Sequence, residues 1–169
     1  MNAQRIAVLA SLVAVTLATM FVRVPLPTGG YFNFGDVAVV FGALVVGSML
    51  AKRGWIWGAF VGGVGSALAD LLSGYAFFAP ITLIAKGLEG AMAAFAAKSS
   101  LVLRVIFLAI GGSLMVGTYF VGEYFLPQMG LAAAIAELIP NAVQAVGGAV
   151  GGWLLFAIYN VAARPQVQP

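Results

Sequence analysis

The 169-residue chain contains neither cysteine nor histidine. Without thiols it can form no disulfide and offers no thiolate nucleophile, and without imidazole it lacks the usual general base and the commonest zinc ligand. No catalytic residue and no metal site is expected, and the chain reads as a non-enzyme. Charge is scarce as well: Asp, Glu, Lys and Arg make up 8% of the residues, where a soluble domain carries roughly a quarter. A Walker motif of the Gly-x-x-x-x-Gly-Lys-Ser/Thr type is missing, so no ATP or other cofactor is expected on this chain. The two halves share no glycine or charge pattern that would mark an inverted-repeat carrier.

What fills the chain is apolar. Hydrophobic residues reach 63% and the mean hydropathy is +1.08, values that require lipid as the solvent. At about 20 residues per spanning helix the length allows about five to seven spans and leaves no aqueous domain. The expected fold is one all-α integral membrane domain over 1–169, with six transmembrane helices. Punctuation places the spans at Gln4 to Val24, Asp36 to Ala51, Trp55 to Leu72, Pro80 to Lys98, Leu101 to Phe125 and Leu131 to Ala163. The first is ended by Pro25-Leu-Pro27-Thr-Gly-Gly30, Asp36 is a candidate N-cap, and Pro80 suits a first helical turn. The run from Ile6 to Val22 behind Arg5 has the look of a signal peptide, yet further spans follow at once, so it reads as a retained helix.

The formal charge of +3 and the pI near 9.5 would suggest nucleic acid in a soluble protein. Here the cations stand singly between apolar runs, so they read as topology determinants and no nucleic-acid partner is expected. Arg5, Lys52, Arg53, Lys98, Arg104 and Arg164 fall on one side of the six spans, which the positive-inside rule makes cytoplasmic, with both termini there. Asp36, Asp70, Glu89, Glu123 and Glu137 lie in the opposite half or within spans, together with Arg23 and Lys86.

Polar residues inside spans are costly and therefore candidates for function. Lys86 and Glu89 share a face of the fourth span, where mutual neutralisation and ligand contact are both open. Tyr119 and Glu123 share a face of the fifth. Glu137, Asn141 and Gln144 share one of the sixth, beside Pro140 and continuing into Gly148, Gly151 and Gly152. Gly54, Gly58, Gly62, Ser66 and Asp70 stand at four-residue spacing on the third span, a stripe suited to close helix contact. Ala10, Ala14 and Ala18 form a similar stripe on the first span, open to internal packing or to a partner. Two aromatic loops, Thr28 to Asp36 with Asn33 in it, and Tyr75-Ala-Phe77-Phe78, suit either interface anchoring or a lid over a flat ligand.

Together these residues resemble the S components of energy-coupling factor (ECF) vitamin transporters. The resemblance covers essentially the whole chain and rests on Ala10-xxx-Ala14, Asn33-Phe-Gly-Asp36, Gly58-Ala-Phe-Val-Gly-Gly63, Ser66-Ala-Leu-Ala-Asp70-Leu-Leu-Ser-Gly-Tyr75 and Lys86-Gly-Leu-Glu89-Gly90. It is most similar to the hydroxymethylpyrimidine and pyridoxine-type branch. It implies a small water-soluble vitamin or precursor bound at the outer side, a transmembrane T component docked on Ala10, Ala14 and Ala18, two ATPase subunits that consume the ATP, and a prokaryotic cell membrane. The expected ligand set is Asn33, Asp36, Asp70, Tyr75, Lys86, Glu89, Tyr119, Glu123, Asn141 and Gln144. The rival reading is an autonomous proton-coupled transporter using Glu89 or Glu123.

Overall fold

The computed structural model describes residues 3–28 and 31–163, so Arg164, the tail behind it and the glycine pair 29–30 lie outside the described residues. Six α-helices account for nearly all of it: α1 (Ala3–Met20), α2 (Gly35–Leu50), α3 (Gly54–Leu72), α4 (Ala79–Ala96), α5 (Leu101–Phe125) and α6 (Gly130–Ala162). Four of them, α3 to α6, are long and apolar enough to cross a membrane, while α1 and α2 are shorter apolar helices. The chain is thus a helical membrane protein, and length alone carries four spans of the six expected. At 16 residues α2 is about 24 Å long, short of a hydrocarbon core of about 30 Å. It is apolar all round and mostly buried, with Val39, Ala43 and Leu44 fully inside, as a central helix must be.

Backbone contact organises the bundle. A Cβ on Gly58 would lie 2.5 Å from the Gly90 carbonyl oxygen, and one on Gly62 would lie 2.5 Å from that of Lys86. The glycine stripe of α3 therefore brings α4 to van der Waals distance, and Gly65 does the same for Thr16 of α1. On α6, Gly148 faces Asp36 and Gly152 faces Val40, which seats α2. The stripes on α3 and α6 serve packing within the chain. The stripe on α1 does not: Ala10, Ala14 and Ala18 are all exposed, while Leu9, Leu12, Thr16 and Met20 turn inward.

Three boundaries differ from expectation. Helix α1 stops at Met20 rather than Val24, and Arg23–Pro25 (β1) pairs antiparallel with Tyr31–Asn33 (β2), Arg23 opposite Asn33 and Pro25 opposite Tyr31. The residue before a proline is pushed toward extended conformations, and valine is stiff at χ1, so Val24-Pro25 favours a strand end over a last helical turn. Helix α2 starts at Gly35, and its opening donor, the Gly35 N–H, reaches the Asn33 side-chain oxygen at 2.5 Å. Asn33 thus satisfies the first helical N–H through an Asx turn from just outside the helix, while Asp36 lies inside the first turn and points inward. Helix α4 ends at Ala96, leaving Lys98 in the following turn. Pro140 lies inside an unbroken α6.

The two ends of the bundle differ in kind. At one end Val8, Leu9, Met49, Leu50, Ala96, Ala97, Leu108, Trp153 and Phe156 form an apolar cluster beside the turns that carry Lys52, Arg53 and Lys98. There Arg104 donates to the carbonyls of Ala96, Ala97 and Ser99 at 3.2 to 3.4 Å, and its guanidinium lies 5.8 Å from the Trp153 ring. At the other end the β-hairpin and the loop 73–78 lie over a polar interior.

Candidate substrate site

A cavity of about 30 Å³, large enough for about two waters, sits under that hairpin. Its wall is drawn from every helix except α2. Met20 comes from α1, Asp70 from α3, Thr82 and Lys86 from α4, Tyr119 and Glu123 from α5, and Glu137, Asn141 and Gln144 from α6, with Tyr31 and Asn33 of β2 and Phe78 above. Helical spacing explains the convergence: Thr82 and Lys86, Tyr119 and Glu123, and Glu137, Asn141 and Gln144 each repeat at three or four residues, so each set projects from one face. Only Met20 and Phe78 contribute wholly apolar side chains to this wall.

Seven of the ten expected ligand residues meet here: Asn33, Asp70, Lys86, Tyr119, Glu123, Asn141 and Gln144. The other three do not line the cavity. Asp36 and Glu89 lie behind Lys86, which pairs with Asp36 and stands 3.7 Å from a Glu89 carboxylate oxygen. Tyr75 lies higher, its ring edge-on to that of Tyr31 with centroids 4.7 Å apart. Tyr31, Thr82, Glu137, Met20 and Phe78 also line the cavity and are not among the ten residues expected from the sequence. Thr82 was legible as the residue one turn before Lys86. Tyr31 became identifiable only once the hairpin folded over Asp70.

Hydrogen bonds close the site from above. Thr28 donates its hydroxyl to Glu137, and Tyr31 donates to Asp70. The Asn33 N–H donates to the Gln144 side-chain oxygen at 2.8 Å, and Gln144 in turn donates to Asn141 at 3.3 Å. Below, the Tyr119 hydroxyl donates to Thr82 at 3.0 Å, and the Lys86 ammonium lies 5.4 Å from the Tyr119 ring centroid. Burial and the neighbouring Asp70 carboxylate push the Tyr31 phenol above its ordinary range, so it remains a donor. Arg23 pins the lid from outside, 5.4 Å from the Tyr31 ring and 5.1 Å from that of Tyr75, with one donor 3.4 Å from the Ser73 carbonyl.

A larger cleft of about 660 Å³ lies between α5 and α6, lined by apolar and small residues, with the Ser113 hydroxyl and the Trp153 indole N–H as its polar side-chain groups. It offers almost nothing to orient a polar ligand, whereas the small cavity offers ten polar side chains. The small cavity is the candidate site.

A family model for the S component of ECF-type riboflavin transporters matches residues 1–161. The chain belongs to this family. As an S component it is the substrate-binding subunit of an ECF transporter, and the family is one of transporters rather than enzymes. An uncharacterized protein of Pyrococcus woesei, described as lying in the gap 3′ region, is 40% identical over 142 residues, covering 82% of this chain and 89% of that protein. The S-component match spans all six helices and so includes every residue of the cavity wall.

Proposed function

We propose that this S component captures a small, flat, one-ring vitamin or precursor, of the hydroxymethylpyrimidine or pyridoxine type, at the outer face of a prokaryotic cell membrane. The observation that carries the ligand class is the cavity: about 30 Å³, walled by ten polar side chains and only two wholly apolar ones. A single ring with donors and acceptors around its edge matches that wall and needs the least widening. The riboflavin named by the family model is tricyclic with an apolar dimethylated edge, and Met20 and Phe78 alone offer little surface for it. In this reading the polar wall residues bind the ligand, Lys86 is held in place by Asp36 and Glu89, and the hairpin with Tyr75 is the lid.

The same reading gives six spans, with α1 and α2 short but included, and both termini in the cytoplasm. Its support is the gathering of Arg5, Lys52, Arg53, Lys98 and Arg104 at the end away from the cavity. The partners are a transmembrane T component and two ATPase subunits, with α1 as the docking helix. The outward alanine face of Ala10, Ala14 and Ala18 supports this, because the inward face of α1 already meets Gly65 of α3. Uptake of labelled hydroxymethylpyrimidine or pyridoxine into proteoliposomes tests the assignment. ATP-dependent uptake only when the T component and ATPases are present supports it. Uptake by this chain alone, driven by a proton gradient, refutes it in favour of an autonomous carrier.

A further inference from the structure

The acidic residues are distributed in a way that capture of a neutral vitamin does not explain. All five in the chain, Asp36, Asp70, Glu89, Glu123 and Glu137, are buried to 2% exposure or less. Among the described residues the only cation buried with them is Lys86, and Arg23 stays half-exposed outside the lid. Lys86 is engaged by Asp36 and Glu89. Asp70 and Glu137 each receive a neutral hydroxyl, from Tyr31 and Thr28. Glu123 shares with Asp70 a place in the cavity wall and a carboxylate oxygen buried without a hydrogen-bond partner, but among the described residues it receives neither a hydroxyl, as Asp70 and Glu137 do, nor a paired ammonium, as Asp36 and Glu89 do. Glu137 borders the same cavity from α6, so its charge adds to that of Glu123.

A buried carboxylate without a counter-charge is strongly unfavourable, and one with an unmatched oxygen is more so. A ligand that presents a protonated nitrogen supplies both the missing N–H and the missing charge, and charge-assisted hydrogen bonds of this kind are about twice as strong as neutral ones. A neutral ligand rich in acceptors supplies neither. Resting on the capture role proposed above, we infer that the ligand is a one-ring organic base bound as its cation, with Glu123 as its counter-ion. Asn141 borders the same cavity from α6, and its amide can donate to the carboxylate. Lys86, held by its own two acids, keeps the far side of the cavity from drawing the cation deeper.

Two pyrimidines of nearly equal shape separate charge from size: 4-amino-2-methyl-5-aminomethylpyrimidine, cationic at pH 7, and its neutral 5-hydroxymethyl counterpart. Their affinities for the purified full-length protein in lipid nanodiscs are measured by calorimetry, with riboflavin as a third ligand. The expected result is at least about tenfold tighter binding of the amine, falling to within about threefold in Glu123→Gln, where the shape is kept and the charge removed. Equal affinities in the wild type, or a preference that survives in Glu123→Gln, overturn the charge assignment while leaving one-ring capture intact. Riboflavin binding without either pyrimidine overturns the one-ring reading, and the charge assignment with it. The wild-type comparison decides the question of charge even where the variant does not fold.

Discussion

Replacing Lys86 by Met removes the one cation buried among the described residues and leaves its volume nearly unchanged. In the wild type the ammonium pairs with Asp36 and stands 3.7 Å from Glu89, and the Asp36 Oδ2 and Glu89 Oε2 already lack hydrogen-bond partners. Lys86→Met therefore leaves two carboxylates facing each other with no counter-charge, at positions no more than 2% exposed. Breaking a buried pair from one side costs about 3–5 kcal/mol, which for a chain of this size is a fall in Tm of roughly 6–20 °C. The assay is a thermal melt of purified protein in nanodiscs. Neutralising both partners as well, in Lys86→Met/Asp36→Asn/Glu89→Gln, is expected to recover more than half of the loss, because the cost lies in the stranded charges rather than in a lost attraction. A single variant that melts within about 2 °C of the wild type, or a triple variant no better than the single, would refute the reasoning.

Gly62→Val places a side chain against the Lys86 carbonyl and the Val39 side chain, whereas Gly117→Ala meets nothing within 4 Å. The first is expected to lower the Tm by several degrees, and the second to leave it unchanged or raise it slightly, since alanine favours a helix over glycine by about 1 kcal/mol. Ala14→Leu, on the exposed face of α1, is expected to leave ligand affinity unchanged while abolishing ATP-dependent uptake in reconstituted vesicles. Tyr31→Phe removes the phenol that donates to Asp70. A hydrogen bond to a charged group contributes about 1.5–3 kcal/mol, so ligand dissociation measured by stopped flow should quicken at least about tenfold.

How much of this was readable beforehand varied with the range of the interaction responsible. The paired faces of α5 and α6 were visible because helical periodicity is local: Tyr119 with Glu123, and Asn141 with Gln144, needed only a spacing of three or four. The glycine stripe of α3 was visible as a stripe, but its partner was not, since nothing in Gly58 or Gly62 names Gly90 or Lys86 across the interface. The hairpin escaped because each strand has three residues and one strand ends on a proline, so neither carries an alternating pattern long enough to register. Its consequences escaped with it. Asn33 lines the cavity as expected, but the sequence does not show that its side-chain oxygen receives the Gly35 N–H or that its own N–H goes to Gln144. Asp36 stands where the sequence favours a cap and is instead a partner of Lys86, fifty residues on in sequence. Burial of all five acids was the least visible feature, because charge counting along a chain does not show which carboxylates share one interior.

The central claim is that the cavity under the hairpin holds a one-ring vitamin-like compound, and it is tested most directly by mass spectrometry of what co-purifies with the protein. Purified in mild detergent from cells supplied with a mixture of vitamins, the protein is expected to carry a one-ring nitrogen heterocycle near one equivalent, lost on Asn141→Ala. Recovery of riboflavin in its place, retained in that variant, would contradict the account.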